Sequence, residues 1–346
     1  MTARRTFNFL LQEAGIGLAL VILCVIFAIA APRFASLDNL SNILTQISIN
    51  TAIAVGMTFV ILLGGIDLSV GSVLALASVV AGLTITNKSL PVPLAIVLAI
   101  VAAVSVGALC GFINGWVSER WKIHSFVVTL GMLNIARGAA LQISNSRTIF
   151  SFPAQFNAFG TLELFEIIPA IFLIALALVL IGRFILNRTV FGRMIYAIGN
   201  NEEAVRLSGH NTSSVKILAF TICGITVGIA AIMYMLRLNI ASPILGVGFE
   251  LKAIAAVVIG GTSMKGGKGS MVGTFLGACI IGVLDNGLLL IGLGDFARQM
   301  VTGFIIVLAV IIDTYRIKAS QRAAESAETA ARPPKSGEMA APLDRT

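Results

Sequence analysis

The stretch PVPLAIVLAIVAAVSVGALCGFINGW (residues 91–116) contains no charged side chain. It is long enough to cross a bilayer, because a membrane-spanning α-helix takes about 20 predominantly apolar residues. The rest of the chain has the same character: of its 346 residues, 57% are hydrophobic and only 12% are charged. Since soluble domains carry about 25% charged residues, lipid must be the solvent for most of this chain. This composition excludes soluble enzymes, nucleic-acid-binding modules and disulfide scaffolds.

Further uncharged or nearly uncharged runs predict an all-α, polytopic membrane bundle of about ten transmembrane helices. The amphipathic segment 36–47 is predicted to lie on the membrane surface before the second span. The span 250–262 is short, and the sequence leaves open whether it crosses fully or is re-entrant. Glycines four residues apart, as at Gly107 and Gly111 or Gly273 and Gly277, predict close helix packing. The predicted spans are 14–31, 48–64, 68–87, 91–116, 124–142, 167–186, 214–236, 250–262, 271–292 and 297–313.

The placement of lysine and arginine predicts the orientation, because cytosolic segments of membrane proteins are enriched in these residues. With both termini in the cytosol, 17 of the 24 lysines and arginines fall on the cytosolic side. This asymmetry explains the net charge of +8 without a nucleic-acid partner. The predicted domains are a cytosolic N-terminus (1–13), a transmembrane domain (14–313) and a disordered cytosolic tail (314–346). Two long connections interrupt the spans, an outer loop at 143–166 and a cytosolic loop at 187–213.

Four segments resemble permease subunits of ribose-type ABC importers, the inner-membrane components of binding-protein-dependent transport systems. They are GGIDLSVGS (64–72), VVTLGMLNIARG (127–138), IGNNEEAVRLSG (198–209) and ELKAIAAVVIGGTSMKGGKGS (250–270). The resemblance covers residues from about 40 to 315. It implies a fold similar to the vitamin B12-importer permease class and a location in the bacterial inner membrane.

The resemblance also implies a substrate and three protein partners. The substrate is a monosaccharide or a related small polyol. The partners are a cytosolic ABC ATPase, a periplasmic sugar-binding protein and a second permease subunit, which is either a copy or a paralogue. ATP and Mg are expected on the ATPase, so no cofactor is predicted in this chain. The sequence departs from the family where Lys252 replaces a frequent acid and Val205 a frequent alanine.

The segment 198–209 has an interpretation from its residues alone. An asparagine can cap a short helix there, two glutamates suit its positive N-terminal end, and a glycine can supply a left-handed C-cap. By resemblance, Glu203, Ala204 and Gly209 match the E-A-A-x3-G pattern of importer permeases, which implies contact with the ATPase. The alternative is an ordinary capped loop helix. The residues predicted to couple to the ATPase are Asn200, Asn201, Glu202, Glu203, Ala204, Arg206, Leu207, Ser208 and Gly209.

Polar residues at membrane depth are costly to bury and are often functional. Asp67, Asn114, Asn134 and Arg137 are therefore predicted to line the translocation path. Three of them have an alternative role: Asp67 can cap the third predicted helix, Asn114 can mark a helix terminus, and Arg137 can reach the headgroups or a helix end. Asp285 lies in the ninth predicted span, and the sequence names no partner for it.

Four phenylalanines in the outer loop have two possible roles. They can dock the binding protein or anchor the loop in the headgroup zone, where aromatic rings are favoured. The four are Phe150, Phe152, Phe156 and Phe159.

No catalytic or metal-binding residues are predicted, because no nucleophile–base pair, carboxylate dyad or metal-ligand spacing is visible. GGTSMKGGKGS (260–270) does not match the spacing of a phosphate-binding loop. The leading hypothesis is the transmembrane part of an ATP-driven sugar importer. The alternative is an ion-coupled secondary transporter that uses Asp67, Arg137 and Asp285, and a weaker third is a membrane scaffold without transport.

Overall fold

The computed structural model describes residues 2–305, 307, 308 and 311, with side chains from Glu13 onward. Two short strands, β1 (Glu163–Leu164) and β2 (Ile168–Pro169), pair antiparallel with Glu163 opposite Pro169. Residues 295–305 are also helical. The named helices are α1 (Thr2–Ala30), α2 (Leu37–Leu62), α3 (Val70–Ile85), α4 (Val92–Trp121), α5 (Ser125–Ile143), α6 (Ala154–Gly160), α7 (Ala170–Arg188), α8 (Val190–Leu207), α9 (Thr212–Leu238), α10 (Phe249–Ile259) and α11 (Met271–Leu290).

Local sequence signals start several of these helices. The side chain of Asn211 accepts the N–H of Ser214 at 3.0 Å at the start of α9. Ser270 Oγ accepts the N–H of Gly273 at 2.8 Å at the start of α11. Pro91 precedes α4, where its fixed φ suits a chain entering a helix. These caps satisfy N–H groups that have no partner within the helix.

The all-α membrane architecture is confirmed. Seven helices of the described part are long and apolar enough to cross a membrane: α1 from Glu13, α2, α4, α5, α7, α9 and α11. Each coincides with a predicted span. The predicted spans 68–87 and 250–262 correspond to the shorter helices α3, with 16 residues, and α10, with 11 residues. The span 297–313 lies partly outside the described residues, as does the whole tail 314–346, so the total of ten crossings stays a prediction.

The prediction of a surface segment at 36–47 is wrong, because these residues form the first half of the continuous helix α2. One of their polar side chains, Asn39, is buried and bonds to other parts of the protein. Asn39 and Asn286 of α11 exchange amide hydrogen bonds in both directions, at 3.0 and 2.9 Å. Such interhelical bonds contribute roughly 0.6–2 kcal/mol in membranes. The polar and apolar residues of 36–47 therefore reflect packing of α2 against other helices, although their alternation is also typical of a helix on a membrane surface.

The two long connections are more regular than loops. The connection 187–213, predicted to be cytosolic, is mostly helix α8, and the connection 143–166, predicted to be on the outer side, contains α6 and strand β1. The sequence predicted a short helix within 198–209, and α8 is longer than that, because it starts at Val190. Thr189 starts α8 by accepting the N–H of Gly192 at 3.1 Å. With its 18 residues, α8 makes most of this connection helical.

The core is organised around α2, which is buried along most of its length and packs against α7, α9, α10 and α11. Beside it, α4 lies along α9, and Gly107 meets Gly224 so closely that a Cβ on either would collide with the other's carbonyl oxygen. Gly111 packs on α9, and Gly273 and Gly277 pack on α10 in the same manner. The predicted role of these glycine pairs in close helix packing is confirmed.

Candidate functional site

Helix α8 consists of two parts separated by a kink at Asn201, where φ is −160° and ψ is 95°. Asn201 caps the second part, because its side chain accepts the N–H of Ala204 at 3.0 Å. After Leu207 the helix ends, and Gly209 takes a left-handed φ of +84° while its N–H donates to the Arg206 carbonyl at 3.0 Å. We refer to residues 202–207 as the capped helix. Its caps are those expected from the sequence, whereas its contact with an ATPase stays a prediction.

The first part of α8 is fixed to the rest of the protein. Asn200 Nδ2 donates to the carbonyls of Tyr196 at 2.7 Å and Gly267 at 3.3 Å. The Tyr196 hydroxyl donates to the Gly269 carbonyl at 2.9 Å. Gly267 in turn donates its N–H to the carbonyl of Leu62 at the end of α2, at 2.9 Å. The glycine-rich connection 260–270 therefore links the first part of α8, at Tyr196 and Asn200, to the end of α2.

The capped helix presents a mixed apolar and charged surface to solvent. Ala204 and Ser208 are exposed, and Leu207 is 78% exposed. Glu203 and Arg206 form an ion pair at 2.7 Å with both side chains more than half exposed. The hydrogen bonds that Arg206 donates to the Glu203 carboxylate raise the pKa of the Arg206 guanidinium. Exposed ion pairs contribute little to the stability of a fold, so this pair does little to hold the chain together.

A chain of charges links the capped helix to the ends of α4 and α9. Lys216 donates to Glu202 at 2.6 Å and lies 3.0 Å from Glu119, so its ammonium bridges two carboxylates. Glu119 also accepts from Ser213 at 2.7 Å and from Lys122 at 2.9 Å. Sequence reasoning missed this link, because it used Lys216 only as a topology signal. The available signal was an acid and a base at the cytosolic ends of two predicted spans.

Asp67 lies in the break between α2 and α3 and is buried with Ser69 and Asn114. Its carboxylate accepts the Ser69 N–H at 2.9 Å and the Ser69 hydroxyl at 2.6 Å, next to the start of α3. Asn114 Nδ2 donates to Ser69 Oγ at 3.0 Å and to Asp67 at 3.4 Å. Asn114 lies inside α4, so the alternative that it marks a helix terminus is wrong. The adjacent Gly115 serves close packing against the backbone of Ile217, which explains why it does not end the helix.

The other two predicted path residues lie on α5. Arg137 Nη1 donates to the carbonyls of Pro243 and Leu245, the latter at 2.8 Å, and so fixes the connection between α9 and α10. Asn134 is exposed and donates to the Leu130 carbonyl of its own helix at 3.1 Å. Among the described residues, no hydrogen bond or ion pair joins this pair to the Asp67 network. The four residues therefore form two separate groups.

The four outer phenylalanines divide into two classes. Phe152 and Phe156 are 5% and 3% exposed, and their rings meet edge-on with centroids 5.8 Å apart. Their assignment to a docking surface is wrong, because they belong to the core beneath α6. Phe150 and Phe159 are 59% and 46% exposed and remain available to a partner or to headgroups.

The structure supplies the partner of Asp285, which is Lys252 at the start of α10. The pair borders a cavity of about 280 Å³ that Tyr234, Arg237 and Arg298 also line. Lys252, which stands where the family often has an acid, is thus paired with Asp285 of α11. Over the part of the chain with described side chains, no group of three or more His, Cys, Asp or Glu residues could hold a metal ion.

Comparison with known proteins agrees with this architecture. The family described as "Branched-chain amino acid transport system / permease component" matches residues 39–310. The chain is 38% identical to the ribose import permease protein of Escherichia coli strain K12, over 90% of this chain and 97% of that protein. It is 41% identical to the ribose import permease protein of Bacillus subtilis strain 168, over 89% and 94% of the two chains. It is 35% identical to the D-allose transport system permease protein of Escherichia coli strain K12, over 90% and 94%. No solved structure matches the chain.

These relatives align along nearly the whole of both chains, and the family match includes all the helices from α3 to α11. Families of this kind are transport components and not enzymes. Together with seven membrane-length helices, the matches define a multi-pass membrane permease. The chain belongs to the family of transport-system permease components and, within it, to the ribose-type ABC importer permeases.

Proposed function

We propose that this chain is the transmembrane subunit of an ATP-driven importer for a monosaccharide or a related small polyol. It forms the translocation path across the bacterial inner membrane, with both termini in the cytosol. A partner ATPase binds ATP and Mg, and a periplasmic binding protein delivers the sugar. The names of the relatives, which are permeases for ribose, allose and arabinose, support a sugar substrate.

The capped helix is the observation that carries this proposal. The Asn201 side chain caps its start, the left-handed Gly209 follows its end, and the backbone is kinked at Asn201. Its Leu207 side chain is 78% exposed and can enter an apolar cleft of a partner. A short rigid element with these properties can be displaced as a body by a partner that changes shape. The ATPase is the proposed partner, and its closure on ATP would move the capped helix relative to the fixed first part of α8.

A second permease subunit is proposed to lie against α5. Along one side of this helix, Gly131, Asn134 and Gly138 are exposed, and no heavy atom lies within 4 Å of a Cβ built on either glycine. Glycines allow close approach of helices in lipid, and an exposed amide in a membrane span is stabilised by a polar partner. A path between two subunits would place Asn134 on its lining.

The ion-coupled alternative has less support from the structure. It needs titratable groups that can exchange protons or bind ions along one route. Asp285 is instead paired with Lys252, and Arg137 donates to backbone carbonyls. Asp67 is enclosed by Ser69 and Asn114. The three groups occupy different places and share no hydrogen bond among the described residues.

The experiment is uptake by the complete importer in proteoliposomes, with ATP inside and radiolabelled D-ribose, L-arabinose or D-allose outside. We expect uptake of at least one sugar to require ATP and the binding protein, to stop with vanadate, and to continue when an uncoupler removes ion gradients. Uptake that persists without ATP and collapses with the uncoupler would support the secondary transporter instead. If no component of the system binds any of the three sugars, the sugar assignment is overturned.

A further inference from the structure

Among the described residues, one side chain of the capped helix, that of Glu202, forms hydrogen bonds or ion pairs with the membrane helices. Within the described residues, the side-chain hydrogen bonds and ion pairs that leave the segment 201–209 all involve Glu202, which accepts from Lys216 at 2.6 Å and from Thr212 at 3.3 Å. Glu203 pairs within the segment, with Arg206. Because the backbone kinks at Asn201, the first part of α8 does not fix the direction of the capped helix. Apart from the chain itself, Glu202 is therefore the polar side-chain route by which force on the capped helix can reach α9.

Lys216 is placed to receive that force. Its side chain is 20% exposed and lies between Glu202, 41% exposed, and Glu119, only 8% exposed. Lys122 and Ser213 also donate to Glu119, so the inner carboxylate is held from three sides. The charges of Glu119 and Glu202 balance those of Lys122 and Lys216. The cluster therefore has no net charge that would attract an ionic ligand. An ammonium between two carboxylates joins them, and its removal would leave two acids facing each other.

The far end of this link is a rigid pair of helices. Glu119 lies in the last turn of α4, and Lys216 lies in the second turn of α9. The two helices lock together further into the membrane, where Gly115 meets the Ile217 backbone and Gly107 meets Gly224. Packed helices with no space between their backbones move together. A displacement at Lys216 would therefore move α4 and α9 as one body.

There is room next to the link for such a movement. A cavity of about 300 Å³ is bordered by Glu119, Glu202 and Lys216 on one side and by Gly64 and Gly65 on the other. The two glycines begin the break between α2 and α3, in which Asp67 lies three residues further on. The cavity thus separates the link from the polar network that the sequence assigned to the path.

From this geometry we infer that Lys216 is a positioning residue that transmits the movement of the capped helix to the α4–α9 pair through its bridge between Glu202 and Glu119. The inference rests on the proposed function, since it assumes that an ATPase moves the capped helix. It adds a residue outside the 198–209 segment to the coupling route, and it separates binding of the ATPase from transmission of its movement.

The test uses the complete importer in proteoliposomes with D-ribose as the probe, or with whichever of the three sugars the uptake assay selects. Lys216→Met removes the charge at nearly constant length. We expect it to co-purify the ATPase in normal amount, to lose stimulation of ATP hydrolysis by the sugar-loaded binding protein, and to reduce uptake about tenfold, within the roughly 5- to 150-fold range of coupling effects. Lys216→Arg should restore both readouts, because a guanidinium can bridge two carboxylates.

A matched control and a second variant keep the result interpretable. Lys268→Met makes the same change at an exposed side chain that has no partner among the described residues, and it should leave all readouts unchanged. Glu202→Gln breaks the link from its exposed end, so it tests the inference even if Lys216→Met fails to fold. The double variant Glu202→Gln, Lys216→Met should be no worse than the stronger single variant, because both act on one link.

Three outcomes would overturn the inference. One is full stimulation and uptake in Lys216→Met or Glu202→Gln. Another is loss of ATPase co-purification in Lys216→Met, which would make Lys216 part of the docking surface. The third is no recovery in Lys216→Arg. Failure of the unmodified permease to bind any ATPase would instead overturn the proposed function, so the two failures are distinguishable.

Discussion

Replacement of Gly209 by valine tests whether the end of the capped helix depends on a left-handed residue. Gly209 has a φ of +84°, and no heavy atom lies within 4 Å of a Cβ built on it. The expected effect is therefore conformational and involves no collision. A non-glycine residue in the left-handed region costs roughly 1–2 kcal/mol, and a β-branched residue is disfavoured most. Since about 1.4 kcal/mol corresponds to a factor of ten, the equilibrium constant for forming this turn should fall roughly 5- to 30-fold.

Hydrogen–deuterium exchange of the purified permease measures this change directly. The amides of Ser208, Gly209 and His210 donate to helix carbonyls at 3.1, 3.0 and 3.4 Å. In Gly209→Val we expect the protection of Ser208 and His210 to fall by that factor, while the membrane helices exchange as before. Gly209→Asn is the matched control, because asparagine tolerates the left-handed region and should keep most of the protection. Unchanged protection in Gly209→Val would refute the role assigned to the left-handed cap.

Three further predictions concern the membrane part, each measured as thermal stability of the detergent-purified protein and as uptake. Lys252→Met should destabilise the protein, because it leaves the Asp285 carboxylate unpaired. Adding Asp285→Asn should recover most of the lost stability. Equal stability of the single and double variants would contradict the pairing. Asp67→Asn should keep folding and transport, because an amide oxygen can accept the same N–H bond, and loss of transport in folded protein would show that the charge is required. Gly224→Ala should destabilise the protein by about 1–3 kcal/mol, because the new Cβ would meet the backbone of α4. Gly15→Ala, on the open face of α1, should not destabilise it. Equal effects of the two variants would contradict the close packing of α4 against α9.

The features predictable from the sequence were those determined by local chemistry. Long apolar runs located the membrane helices, because a helix in lipid must satisfy its backbone internally and cover itself with apolar side chains. The caps of the capped helix were equally readable, since Asn201 and Gly209 act on backbone groups within a few residues of themselves. Glycine spacing indicated the packing seams for the same reason, because the pattern repeats along one helix face.

The features that could not be predicted depend on pairs far apart in the chain. Asn39 suggested a surface segment until its bonds to Asn286 were visible. Phe156 resembled an exposed anchor because burial beneath α6 depends on how the outer connection folds back. Glu119 follows one predicted span and Lys216 starts another, so their charges indicate a possible partner at the same end of two helices but not which side chains meet.

The most direct test of the coupling claim is a site-specific cross-link from the capped helix. A photo-activatable amino acid at position Leu207, which is 78% exposed, should form an adduct with the ATPase in the assembled importer. The same amino acid at position Phe159, 46% exposed in the outer connection, serves as the control and should form none. An ATPase adduct at position Leu207 that changes in yield when ATP is added is the predicted result. No ATPase adduct at position Leu207, or an equal yield at Phe159, would contradict the assignment of residues 200–209 as the coupling element.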